Sequence, residues 1–291
     1  MDTQAAPVFD RTQEDVGNIV EFGHLNMRVP DQLLATLFYV TGLGLTRDPF
    51  LNTGTDNMWV NAGTHQFHLP SGPAQVVRGM CGLVLPDLDA LRGRLARVRG
   101  KLGGTAFTVE DHGAFIDTTC PWGNRIRCHA PEPRFGQLRL GFAYVELAAP
   151  PGSATGLARF YREVMRAPAT ATGGAARIGI GQGFSLTFVE TDIEQPGWDG
   201  NHLQISLADF SGPYAWLLAR GLVTEESDQH QYRFHTVVDV DSLAPLLQVE
   251  HEVRSMRHPL FARPLVNRNA SQTPARYAPG HEIAPWALPL A

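Results

Sequence analysis

Residues 24–31 read His-Leu-Asn-Met-Arg-Val-Pro-Asp, and residues 202–209 read His-Leu-Gln-Ile-Ser-Leu-Ala-Asp. Imidazole is the commonest protein ligand for a transition metal. Two histidines at equivalent places of two matching segments therefore raise the chemistry of a metal site. Both segments alternate with period two, the pattern of a half-buried strand. Leu25, Met27 and Val29 fall on one face and His24, Asn26 and Arg28 on the other. Leu203, Ile205 and Leu207 are separated from His202, Gln204 and Ser206 in the same way. A helical pattern follows each closing aspartate.

The elements that would position these histidines form a repeat, and four copies of it are legible. The first, about 20–75, has a strand at 22–29 and a helix from Gln32 to Val40. Short strands near 44–48, 57–61 and 65–70 follow, punctuated by Gly42, Gly44, Gly54 and Gly63. The second, about 76–131, opens on Met80-Cys81-Gly82-Leu83-Val84-Leu85-Pro86-Asp87. It continues with a helix from Leu88 to Lys101 and strands at 106–110, 114–118 and 124–129. The third starts at Leu140, and its Phe160-Tyr161 echoes Phe38-Tyr39. The fourth starts at His202, has a helix at about 212–220, and ends in a strand through Leu247 to Glu252. The expected organisation is an arm at 1–19, repeats one and two at 20–131, and a linker at 132–138 centred on Pro131-Glu132-Pro133. Repeats three and four follow at 139–256, then a Pro-rich tail at 257–291.

Bulk properties narrow the classes. The 291 residues are 43% hydrophobic and 18% charged, which suits a folded chain with a substantial core. Net charge is −5 with scattered Lys and Arg, which argues against nucleic acid as a partner. No apolar run approaches the roughly 20 residues of a membrane span, and the N-terminus lacks a basic-then-apolar leader. Cys81, Cys120 and Cys128 are too few for a disulfide framework, so a cytoplasmic protein with reduced thiols is expected. Cys128-His129 is not read as a thiolate–imidazole pair, because adjacent strand residues face opposite ways.

Strand–helix–three strands, four times over, resembles the vicinal oxygen chelate superfamily of glyoxalase I, bleomycin-resistance proteins and extradiol dioxygenases. The resemblance covers about 20–256. It is carried by the two His-Leu strands, by Phe38-Tyr39 with the following Gly-Leu-Gly-Leu, and by Pro121-Trp122-Gly123-Asn124-Arg125-Ile126. It implies an α+β fold of four βαβββ repeats in two curled eight-stranded mixed sheets. It also implies a divalent metal on a concave face, held by first and fourth strands. The matching first-strand positions are His24, Met80, Phe142 and His202. The fourth-strand positions are His68, Arg127, Thr187 and Glu250. Copies two and three thus offer no set for a hard cation, whereas copies one and four offer His24, His68, His202 and Glu250. One complete site would need copy one to pair with copy four, and that pairing is favoured.

Three imidazoles and a carboxylate suit Fe(II) or Mn(II) first, with Zn(II), Ni(II) or Co(II) open. Gln248 shares the face of Glu250 and is a candidate for a ligand, for support of the ligands or for substrate contact. Arg254, on the strand leaving the site, is a candidate for holding an anionic substrate. The resemblance to extradiol enzymes also implies a His and a Tyr near the metal. His230, Tyr232 and His235 are the candidates, with the inward face of their strand left open. The leading expectation is an enzyme acting on a small molecule with two adjacent oxygens, leaning to extradiol-type ring cleavage. A four-ligand set including His68 would lean to glyoxalase-type isomerase or lyase chemistry. The rival from another class is a metal-free aromatic-binding protein using Trp59, Trp122, Trp198 and Phe67. Monomer and homodimer both remain open.

Overall fold

The structure is a computed structural model that describes residues 9–52 and 54–268. The first part of the expected arm, and the tail beyond 268, lie outside the described residues. Repeat one comprises β1 (Ile19–Asn26), α1 (Gln32–Ala35, continued by a π-helical turn, Thr36–Gly42), β2 (Thr46–Arg47), β3 (Asn57–Ala62) and β4 (His65–Pro70). Repeat two is β5 (Gly79–Val84), α2 (Leu88–Val98), β6 (Thr108–Asp111), β7 (Phe115–Thr119) and β8 (Arg125–His129). Repeat three is β9 (Gly141–Ala149), α3 (Ala154–Glu163), β10 (Ala169–Thr172), β11 (Ala175–Ile180) and β12 (Phe184–Glu190). Repeat four is β13 (His202–Leu207), α4 (Ser211–Leu218), β14 (Val223–Asp228), β15 (Gln231–Val238) and β16 (Pro245–Ser255).

The aspartate that closes each His-Leu phrase, and its counterpart in repeat two, accept hydrogen bonds from amides at a helix start, Asp31 and Asp87 as N-caps and Asp209 from one residue before the cap. Asp31 accepts from the Leu33 and Leu34 amides at 2.8 and 2.9 Å, and Asp87 from Ala90 at 2.8 Å. Asp209 accepts from Gly212 at 3.0 Å. Each satisfies amides that a helix start leaves without partners.

The sixteen strands form two eight-stranded mixed sheets, an α+β fold. The order in sheet one is β14-β15-β16-β13-β1-β4-β3-β2, and in sheet two β10-β11-β12-β9-β5-β8-β7-β6. Repeat one therefore pairs with repeat four, and repeat two with repeat three. In each sheet the two first strands are antiparallel neighbours at the centre, flanked by fourth strands running parallel to them. The sheets join through apolar side chains. Phe22 of β1 stacks on Phe184 of β12 with centroids 4.2 Å apart, and Phe67 of β4 meets Phe142 of β9 at 4.6 Å. No helix among the described residues is long and apolar enough to cross a membrane.

Candidate metal centre

Every residue of β13 is buried, on both faces of the strand. The apolar face, with Leu203, Ile205 and Leu207, joins the core, while His202, Gln204 and Ser206 face a closed polar interior. On β1 the alternation is broken twice, first at Val20, between Ile19 and Glu21, and again after Phe22. The pairing register slips between Phe22, opposite Ile205, and His24, opposite Gln204. The extra residue is Gly23, and a Cβ there would lie 1.7 Å from Gln204 Oε1, so any larger residue would displace that amide from its place. The bulge sends Phe22 into the core while Glu21 and His24 both face the interior.

The structure brings His24, His202 and Glu252 together, with one ligand atom from each within 4.8 Å of the others. His24 Nε2 is 3.9 Å from Glu252 Oε1, and His202 Nε2 is 3.3 Å from Glu252 Oε2. All three residues are buried, and neither Nε2 atom has a hydrogen-bond partner. Buried polar atoms are seldom left so, because each forfeits its hydration without return. Two ligands about 2.1 Å from one ion can be at most about 4.2 Å apart. Small side-chain shifts would bring the three onto a common ion, and the orphaned imidazole nitrogens are the donors such an ion requires. The donor set fits a divalent transition metal.

Electrostatics set the protonation of the cluster. Burial pushes the His24 imidazole well below its ordinary 6.5, so its ring is the neutral, ligating form. Burial alone would raise Glu252, but His202 and the Arg254 guanidinium outweigh it and hold the carboxyl well below the usual range. Arg254 Nη2 lies 2.7 Å from Oε1, and Arg233 Nη2 donates to Oε2 at 2.7 Å. Arg233 Nη1 donates to Glu250 Oε1 at 2.9 Å, so its guanidinium spans both carboxylates.

The remaining sequence candidates lie as follows. Glu250 faces the same interior, 3.3 Å from His202 Nδ1, but on the ring's other side from Nε2. His68 stacks on Trp59 at 3.8 Å. Asn26 Nδ2 reaches its Nδ1 at 2.6 Å and Asn57 Oδ1 its Nε2 at 2.9 Å, which leaves neither nitrogen free to ligate. Burial, reinforced by His202, takes His68 down to about 3. Gln248 is exposed near the outer end of β16, and its carbonyl accepts from Arg78. The Arg233 face of β15 is the inward one. Tyr232 consequently points the other way, against Phe210 and Tyr214 at 5.1 and 5.2 Å. His230 sits in the turn before β15, and His235 lies against Trp198 at 5.2 Å with Thr236 on its Nδ1. None of these three enters the cluster.

Spacing and alternation alone do not single out Glu252, Arg233 or Glu21. Glu252 shares its face with Glu250, so alternation could not choose between them. Arg233 was visible as a basic residue opposite that strand. For Glu21 the only signal was Gly23, a glycine inside a strand pattern. A polar cavity of about 30 Å³ adjoins His24, walled by Glu21, Gln204, Ser206 and Arg254 and by Leu260, Phe261, Arg263 and Leu265. That last segment is tied down by Arg263 on Asp48 (2.6 Å), Asn61 on the Val266 carbonyl (2.9 Å) and Asn267 on Gly63 (2.8 and 3.0 Å).

No protein-family model matches the sequence, and neither does any curated protein. Solved structures do match in fold. A putative dioxygenase from Bacillus subtilis subsp. subtilis str. 168 superposes with a TM-score of 0.55 at 15% identity, over 84% of this chain and 87% of that one. Glyoxalase I from Zea mays superposes with a TM-score of 0.53 at 14% identity, over 85% of this chain and 95% of its own.

Proposed function

We propose that this chain, whose fold is that of the vicinal oxygen chelate superfamily, is a metal-dependent enzyme acting on a small substrate with two adjacent oxygens. The observation that carries this reading is the pair of buried, unpartnered Nε2 atoms of His24 and His202 beside the Glu252 carboxylate. A divalent cation held there would act as a Lewis acid toward the two substrate oxygens. Two histidines and one carboxylate are the arrangement that suits Fe(II) with open positions, and Mn(II) by the same donor chemistry. The occupied nitrogens of His68 favour this three-ligand set, and with it extradiol-type ring cleavage over four-ligand isomerase chemistry.

The chain's own residues do the rest. Arg233 holds Glu252 and Glu250 in place by one fork. Arg254, beside the cavity, offers a cation to an ionised substrate oxygen. Leu260, Phe261, Arg263 and Leu265 form part of the cavity wall.

The test is anaerobic loading with Fe(II) or Mn(II), elemental analysis, and O₂ uptake with a panel of catechols. About one ion per chain in the wild type, and none in the His24→Ala/His202→Ala double variant, is expected. Protein that takes up no Fe(II), Mn(II) or Zn(II) would leave the metal-free binding reading instead. Metal uptake without O₂ consumption on any catechol would move the assignment to isomerase or lyase chemistry.

A further inference from the structure

Glu21 is a carboxylate on the cavity wall that the ligand set does not use. Its place there depends on the Gly23 bulge, since unbroken alternation would have turned it away from His24. It also borders a second, larger pocket of about 620 Å³ between the sheets, with Phe22, His65, Arg139, Phe142, Gln182 and Phe184 in its walls. Glu21 is thus common to the walls of the cavity beside His24 and of a pocket large enough to hold many waters.

Its neighbours hold the carboxylate in place. Gln204 Nε2 donates to Ser206 Oγ at 3.1 Å, which turns the Ser206 hydroxyl to donate to Glu21 Oε2 at 2.8 Å. The Arg254 guanidinium from β16 and the Ala262 amide from the covering segment also face the carboxylate. Burial outweighs all three and raises the affinity of Glu21 for a proton above that of an ordinary glutamate. A carboxylate so tuned, at a cavity beside a candidate Lewis acid, has the placement of a general base.

We propose that Glu21 is the proton-relay residue of this site, accepting the proton that a vicinal-oxygen substrate loses on binding and passing it to water in the inter-sheet pocket. The substrate O–H bond breaks, its electron pair stays on the substrate oxygen, and the proton is bound by the Glu21 carboxylate. The Glu21 carboxyl keeps this proton for as long as the substrate stays bound, and gives it to water in the outer pocket only after product has left. The assignment rests on the metal reading above.

Acetohydroxamic acid is the probe, because it is small, presents two neighbouring oxygens and loses one proton when it chelates. Protein loaded with Mn(II) is titrated with it at pH 7.5 in two buffers of different ionisation enthalpy, so that calorimetry counts the protons released. The wild type is expected to release fewer protons to buffer than Glu21→Gln, by up to one per site, with Glu21→Asp between them. Glu21→Gln is expected to keep the wild-type Mn(II) stoichiometry. Equal proton counts in wild type and Glu21→Gln overturn the relay. Loss of Mn(II) from Glu21→Gln also overturns it, by making Glu21 a ligand. Loaded wild type that does not bind the probe overturns it as well. Wild type that takes up no Mn(II) instead sinks the metal reading, which the double histidine variant tests separately.

Discussion

The two sheets carry the same ion pair with its polarity reversed. In sheet one, Arg233 on the third strand of its repeat faces Glu252 on the fourth. In sheet two, Asp117 on the third strand faces Arg127 on the fourth, with two hydrogen bonds of 2.8 Å. Fourth strands adjoin the central strands, so sheet one turns a carboxylate toward its centre and sheet two a guanidinium. The centres differ accordingly. Sheet one has His24 and His202, whereas sheet two has Gly82 with the Tyr144 ring lying over it and the Tyr144 hydroxyl 3.0 Å from His129. One repeat pair can host a cation, and the other has filled the equivalent space with a cation of its own and an aromatic ring.

Burial sharpens the contrast and predicts the largest difference. Glu252 is 4% exposed as a side chain and neutralises two guanidiniums, whereas Asp117 is 31% exposed and pairs with one. Glu252→Ala in metal-free buffer should cost about 3–5 kcal/mol, the cost of leaving buried charges without a partner. Asp117→Ala should cost less than about 1 kcal/mol. Urea melts of the two variants check this, and equal losses would erase the distinction between the sheets.

The two glycines should differ next. A Cβ at Gly82 would meet the Tyr144 ring at 2.2 Å, and a packed ring cannot retreat cheaply. Gly82→Ala should destabilise by about 1–3 kcal/mol, an overpacking effect. At Gly23 the obstacle is the far end of the Gln204 side chain, which can swing aside. Gly23→Ala should therefore cost less in a thermal melt while disturbing the hydrogen bond from Gln204 to Ser206. A larger loss at Gly23 than at Gly82 would show that the bulge itself governs stability.

The smallest effect concerns pH at the joint between the sheets. His65 Nδ1 accepts from the Phe142 amide at 3.2 Å, and burial holds its pKa at about 4 against an ordinary 6.5. The folded state therefore resists a proton that the unfolded chain accepts below 6.5. This contribution is complete above pH 6.5 and is lost as pH falls toward 4. Melting temperatures should decline over that window more steeply for the wild type than for His65→Gln. Parallel curves would remove His65 from the account.

Much of the fold is legible in the sequence. Asp31, Asp87 and Asp209 marked three helix starts, and the strands of repeat one fall within a few residues of their expected places. The distribution of His24 and His202 over copies one and four also anticipated which repeats share a sheet. Selection within a face was less legible. Gln248, Glu250 and Glu252 alternate identically along β16, and only the register that puts Glu252 opposite Gln204 chooses among them. Tyr232 and Arg233 were equally open until the packing of α4 against β15 showed which face points in.

The sequence by itself determined the repeat, its strand and helix periods, and the two imidazoles, because these are local patterns repeated along one chain. Tertiary structure decided what no local pattern holds. It supplied the second carboxylate's claim on the cluster, the amides that occupy His68, and the covering segment from Leu260 to Leu265. It also placed Glu21 on the side of His24, through the bulge at Gly23 that reverses the parity of β1 between them. Contacts between strands distant in sequence are set by register and twist, and one inserted residue is enough to turn a side chain from core to site.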